Sequence, residues 1–99
     1  MRVFVTGASG FIGRRLLPVL AAAEHEVTAL LLPGDETRLD AASRIVPGDI
    51  TQAESLAGLP AEHDAIVHLA GAVGYGQTFA RCTQLNVVGT RNIAHEAVA

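Results

Sequence analysis

Three glycines spaced three residues apart, Gly7, Gly10 and Gly13, follow a short apolar run and lead into an amphipathic one. This junction limits what the chain can fold into more than any other feature. Arg2 to Thr6 is rich in β-branched and aromatic residues, and Val3, Phe4 and Val5 are continuously apolar, as in a strand covered on both faces. From Phe11 onward, Ile12, Leu16, Leu17 and Leu20 recur at helical spacing, with Arg14 and Arg15 between them. The spacing predicts a helix reaching Ala21-Ala22-Ala23, in which Pro18 removes one backbone hydrogen bond and bends the axis.

The alternation continues. Val27 to Leu32 reads as a second strand, stopped by Pro33-Gly34; the polar stretch from Asp35 to Asp40 reads as a weak helix leading through Ala41-Ala42 to a third strand at Arg44-Ile45-Val46. Thr51 to Leu59 predicts one short helix, with Thr51 as N-cap and Glu54 where a capping box places its acid. Ala65 to Leu69 is the fourth strand. After a glycine-punctuated loop from Gly71 to Gly76, the positions Phe79, Cys82, Leu85, Gly89, Ile93 and Ala97 predict a long final helix. Strands alternating with helices pair in parallel through right-handed crossovers. The expected fold is therefore α/β, a Rossmann-type doubly wound parallel sheet, first half only, with about four strands in the order 3-2-1-4 and helices on both faces.

Composition narrows the function classes. At 99 residues the chain has room for one core, and 49% hydrophobic against 17% charged residues describes a folded chain. A net charge of -3 with seven basic residues gives no broad attraction for nucleic acid or anionic lipid, and neither partner is expected. No apolar stretch approaches the roughly 18 residues of a membrane span. Cys82 is the single cysteine, so no internal disulfide forms, and a reducing, cytoplasmic setting fits. Its place on the apolar stripe reads as core packing. His25, His63 and His95 are scattered, and no metal site is expected.

A glycine turn between a strand and a helix is where a dinucleotide pyrophosphate meets the unpaired N–H groups of a helix N-terminus. Gly7 supplies the tight turn, Gly10 lets the backbone approach the pyrophosphate, and Gly13 lets helix and strand pack closely. Ser9 offers a hydroxyl to phosphate. The spacing G-x-x-G-x-x-G differs by one residue from the usual fingerprint, but its strand-turn-helix context is the one this chemistry needs. No Lys-Ser or Lys-Thr follows Gly13, so a nucleoside triphosphate loop is excluded.

Four motifs in order carry a resemblance across the whole chain: Thr6-Gly7-Ala8-Ser9-Gly10-Phe11-Ile12-Gly13, Gly48-Asp49-Ile50, His68-Leu69-Ala70-Gly71 and Asn86-Val87-Val88-Gly89-Thr90. In these it resembles the extended short-chain dehydrogenase/reductase family of NAD(P)-dependent sugar epimerases, dehydratases and related reductases. The resemblance implies a cofactor site made of Gly7, Ala8, Ser9, Gly10, Phe11, Ile12 and Gly13, with Asp49 accepting from the adenine amino group and Ile50 beside it. The lesser reading is that Asp49 merely caps the helix that follows, and the two roles are compatible. Leu69, Ala70 and Gly71 would pass beneath the ribose and nicotinamide, and Asn86 would support the active-site hydrogen bonds or serve structure alone. His68, at the end of a buried strand, reads as a hydrogen-bonded core residue. NAD versus NADP should be set at the end of the second strand, by an acid or an arginine. Leu31 and Leu32 stand there instead, with Asp35, Glu36 and Arg38 displaced into the following loop, and the choice stays open. A smaller departure is Glu24, where the family often has glycine.

The family's Tyr-x-x-x-Lys pair is absent, since the chain contains no lysine, and its only tyrosine, Tyr75, lies in the loop where the family places substrate-facing residues. Two hypotheses follow. The first is the N-terminal, NAD(P)-binding domain of a longer enzyme, residues 1–99, transferring hydride on a nucleotide sugar or small carbonyl compound; the resemblance also carries the expectation of a homodimer for the full-length protein. The second is a non-catalytic dinucleotide-sensing protein. Half a doubly wound sheet should also leave a strand edge and apolar helix faces uncovered, with marginal stability or self-association.

Overall fold

The computed structural model describes residues 1–72 and 76–98. Four parallel strands, β1 (Arg2–Thr6), β2 (Glu26–Leu31), β3 (Arg44–Pro47) and β4 (Ala65–His68), form one sheet in the order β3-β2-β1-β4. This is the expected order. Registers such as Phe4 with Thr28, Phe4 with Ile66 and Ala29 with Ile45 align the carboxyl ends of the strands on one rim.

The central strands are buried on both faces, which is why their sequences are continuously apolar. Val3, Val5, Val27, Ala29 and Leu31 point to one side, where α1 (Phe11–Ala22) covers them with Leu17. Phe4 and Leu30 point to the other, against Ile50, Leu56 and Ile93. Helix α1 runs through Pro18, which lies on its exposed side. It ends in a paired closure, Glu24 N–H to Ala21 C=O at 2.9 Å and His25 N–H to Leu20 C=O at 3.1 Å. Glu24 adopts a left-handed φ of 66° there. That conformation is the physical reason a glycine suits this position.

Three expected elements differ. No helix forms between β2 and β3, where Asp35 instead accepts the N–H and O–H of Thr37. The helix expected over Thr51 to Leu59 reduces to 3₁₀ turns at Ala53–Leu56 and Pro60–Glu62. Thr51 does not cap it: Gln52 is the N-cap of the first turn with no side-chain cap bond, and Thr51 donates its N–H (2.9 Å) and its hydroxyl (2.7 Å) to Asp49 Oδ1. The long final helix is present as α2 (Phe79–Cys82), a π-helical stretch (Thr83–Gly89) and α3 (Thr90–Val98), joined end to end. Gly89 and Ile93 are buried, while Phe79, at the start of the same stripe, is 89% exposed. At Gly89 an added Cβ would meet Ile50 Cδ1 at 2.5 Å, so this glycine seats the helix on the sheet.

The outer edge of β4 has no strand partner among the described residues. No helix among them is long and apolar enough to cross a membrane, and no group of His, Cys, Asp or Glu among them could hold a metal ion.

Candidate functional site

A cleft of about 460 Å³ runs along the carboxyl rim of the sheet. Its floor is the glycine turn, its walls come from the segments after β2, β3 and β4, and Arg81 and Leu85 of the last helix close one side. Of the residues expected at a cofactor site, Gly7, Ser9, Gly10, Phe11, Ile12, Gly13, Leu32, Asp49, Ile50, Leu69, Ala70 and Gly71 line it together. Ala8 is fully buried behind the turn. Arg38 stands outside the lining, exposed and paired through Nε with Asp40 Oδ1 at 2.8 Å. Tyr75 lies outside the described residues.

The three glycines of the turn answer three different demands. Gly7 has a left-handed φ of 67°, and an added Cβ would meet the backbone of Leu69 and Ala70 at 2.6 Å. At Gly13 a Cβ would lie 2.4 Å from Gly7 C=O and 2.7 Å from Ala8 Cα, so this glycine is required by the packing of α1 on the turn. Gly10 is exposed, has an ordinary φ of -76°, and its Cβ would meet only Gly7 C=O, at 3.3 Å. Neither conformation nor internal packing requires glycine here; the absent side chain leaves room on the cleft side.

Gly10 is also the N-cap of α1, and no side chain caps the helix. Its own N–H bonds Gly7 C=O at 3.1 Å and its C=O accepts from Arg14 N–H at 3.0 Å, but the N–H groups of Phe11, Ile12 and Gly13 find no acceptor among the described residues. The first helical turn carries no acidic residue. Unpaired donors at the positive end of a helix suit an anionic, oxygen-rich ligand, and a pyrophosphate fits this cradle. The hydroxyl of Ser9, expected to reach phosphate, donates to Asp35 Oδ2 at 3.0 Å at the edge of the cleft.

Side chains lock the rim on the β4 side. Thr6 is fully buried, and its Oγ1 accepts the N–H groups of Leu69 (3.1 Å) and Ala70 (3.2 Å). With those lone pairs engaged, its proton goes to His68 Nδ1, 2.6 Å away, which leaves His68 Nε2 to donate to Thr90 Oγ1 at 2.9 Å. Burial lowers the pKa of His68 below its ordinary value, in keeping with this neutral tautomer. His68 is thus a structural bridge between β1, β4 and the last helix. Asn86, in the π-helical stretch, clamps the same rim: Oδ1 accepts Ala72 N–H at 2.7 Å and Nδ2 donates to Ala72 C=O at 3.0 Å. Asp49 holds Thr51, and its backbone N–H is taken by Ser55 Oγ at 2.9 Å, so its carboxylate is oriented at the rim.

Sequence reasoning did not single out Thr6 or Arg81. A threonine ending a buried strand run is a usable signal for the first. Arg81 carries none, because only the last helix's placement brings it to the cleft.

An open parallel sheet in this order, with a glycine turn and unpaired helix N–H groups at its carboxyl rim, defines the Rossmann-type dinucleotide-binding class. Residues 3–99 match the NAD dependent epimerase/dehydratase family, and the chain belongs to that family. The chain is 36% identical over 96 residues to GDP-6-deoxy-D-mannose reductase of Pseudomonas aeruginosa, covering 93% of this chain and 28% of the relative. It is 35% identical over 101 residues to 3-beta-hydroxysteroid dehydrogenase of Mycolicibacterium neoaurum, covering 95% and 28%. A uronate dehydrogenase variant from Agrobacterium tumefaciens, solved in complex with NAD, is similar with a TM-score of 0.77 at 30% identity, covering 97% of this chain and 36% of that one. The chain spans about 30% of the length of the curated relatives it matches. The expected cofactor, NAD or NADP, is of the kind on which the family depends.

Proposed function

We propose that this chain is the NAD(P)-binding, N-terminal part of a reductase, dehydratase or epimerase that transfers hydride on a nucleotide sugar or small carbonyl compound. The observation that carries the reading is the uncapped start of α1, where the N–H groups of Phe11, Ile12 and Gly13 open on a glycine-lined cleft. These groups would hold the pyrophosphate, with Gly10 giving the clearance. Asp49 and Ile50 would flank the adenine, and the segment Leu69 to Gly71, fixed by Thr6 and Asn86, would support the ribose and nicotinamide. When bound, the nicotinamide supplies hydride transfer; the residues described here bind and orient it. The substrate class follows by likeness to relatives such as the GDP-6-deoxy-D-mannose reductase.

The test is calorimetric titration of the protein with NAD and NADP, repeated on a folded Gly10→Val variant. The expected result is micromolar binding of at least one cofactor, weakened at least tenfold by the valine. Unchanged affinity in the variant overturns the site.

A further inference from the structure

The Thr6 hydroxyl sits where the glycine turn, the end of β4 and, through His68, the last helix come together. Its bonding capacity is full. A hydroxyl has one proton and two lone pairs. Here the N–H groups of Leu69 and Ala70 take the lone pairs, His68 Nδ1 takes the proton, and the residue is fully buried. A proton added at Nδ1 would aim a second donor at the same oxygen. To accept it, Thr6 would have to release one of the two N–H groups and leave its own buried proton without an acceptor, which is costly. Leu69 N–H, already shared with Thr6 C=O at 3.2 Å, is the readier to leave. Any such shift reaches the cleft. Leu69 and Ala70 line it, and their backbone is packed so closely on the turn that an added Cβ at Gly7 would meet it at 2.6 Å.

We propose that His68 is a positioning residue that couples dinucleotide binding to a proton: the cleft takes its cofactor with His68 neutral, and binding to the protonated protein drives that proton off the ring into solvent. The inference rests on the dinucleotide reading above and deepens it by naming a residue outside the cleft lining that makes the site sensitive to pH. The two ring nitrogens respond differently. Nε2 donates to Thr90 Oγ1 at 2.9 Å in either charge state, so the bond to the last helix survives protonation, whereas Nδ1 can accept from Thr6 only while the ring is neutral. Of the titratable or charged side chains on the elements around it, Arg2 of β1, Asp64 before β4 and Arg81, Cys82, Arg91, His95 and Glu96 of the last helix, none bonds His68. Burial is the single cause that holds its pKa below the ordinary value. A bound cofactor, needing the rim intact, lowers that pKa further. Affinity is therefore full above the ordinary histidine range and falls as pH drops through the pKa of the free protein.

Calorimetric titration of the full chain with NAD and NADP from about pH 8 down to about pH 5, on the native protein and on His68→Asn, tests this. Asparagine offers Thr6 an amide oxygen and does not titrate. For whichever cofactor binds, the native protein should hold a level affinity at the upper end and lose up to about tenfold per pH unit at the lower end. His68→Asn should bind like the native protein at the upper end and keep that affinity throughout. A purely structural role would weaken the variant at every pH and leave the slope in place. A flat profile in the native protein, or the native slope persisting in a folded His68→Asn, would overturn the inference and leave the site standing. Should the variant not fold, magnetic resonance titration of the His68 ring in the native protein decides: its pKa should fall when cofactor saturates the site, and an unmoved pKa overturns the inference. Failure of the native protein to bind either cofactor at any pH would overturn the dinucleotide reading, and the inference with it.

Discussion

The chain leaves β1 and β2 through turns that each use a left-handed glycine, Gly7 at φ 67° and Gly34 at φ 87°, yet the two turns are specified in different ways. Around Gly7 the backbone of Leu69 and Ala70 is so close that a Cβ would have to occupy their space, at 2.6 Å. At Gly34 an added Cβ would meet nothing within 4 Å beyond its chain neighbours. The first turn is fixed twice, by conformation and by contact with the neighbouring strand's continuation. The second is fixed by conformation alone, and what it contributes to the cleft is carried by a side chain, Asp35, anchored from outside the turn by Ser9. Where backbone meets backbone, few sequences will do; where a side chain does the work, its position can slide along the loop.

Alanine at the two glycines should separate these terms. Gly7→Ala combines the left-handed cost of about 1 kcal/mol with overpacking against rigid backbone, typically about 1–3 kcal/mol, and should lose about 3 kcal/mol of stability. Gly34→Ala should lose about 1 kcal/mol, from conformation only. Urea unfolding of both variants measures the difference. Losses of equal size would mean that the approach of Leu69 and Ala70 relaxes freely, and the distinction between the two turns would collapse.

Glu24 supplies the conformational term by itself, with opposite sign. It sits at φ 66° where α1 closes, with no glycine to relieve it. Glu24→Gly should therefore raise stability by about 0.5–1 kcal/mol, the left-handed cost removed less the extra chain entropy of glycine in the unfolded state. A loss of stability on that substitution would show that conformation contributes less than 1 kcal/mol, and the smaller figure would carry over to Gly34.

The same contrast explains how much could be read from the sequence. Sheet order and the cleft's floor follow from buried runs and glycines, where sterics leave little choice: Val3 to Val5, the spacing of Gly7, Gly10 and Gly13, and the small residues after β4. What the sequence hid depends on which neighbour a polar side chain engages, two residues away in most cases and 26 residues away for Ser9 with Asp35. Asp49 engages Thr51 where a helix cap was expected, Asp35 engages Thr37 and Ser9 where a weak helix was expected, and Arg38 goes to Asp40. Periodicity also gave no sign of the π-helical stretch at Thr83–Gly89, nor that Phe79 is exposed at the start of a stripe that buries Ile93. Each is a local competition between near-equal options, which no residue pattern decides in advance.

Gly10 gives the smallest effect on stability and the sharpest check on the argument. It lies in the same turn as Gly7, so a reading of the motif as three glycines required for folding predicts that all three are costly to replace. The geometry predicts otherwise. Its φ of -76° suits any residue, and its added Cβ would press only on Gly7 C=O at 3.3 Å, a contact eased by a shift of a few tenths of an ångström. Gly10→Ala should change unfolding free energy by less than about 1 kcal/mol, the N-cap preference of glycine over alanine included. Gly10 lines the cleft, so an added methyl group there should lower cofactor affinity several-fold while the fold stays intact. If stability drops as far as in Gly7→Ala, Gly10 belongs to the architecture of the turn and the clearance argument for a ligand fails. If stability holds and affinity falls, the glycine at position 10 is there for a molecule outside the chain.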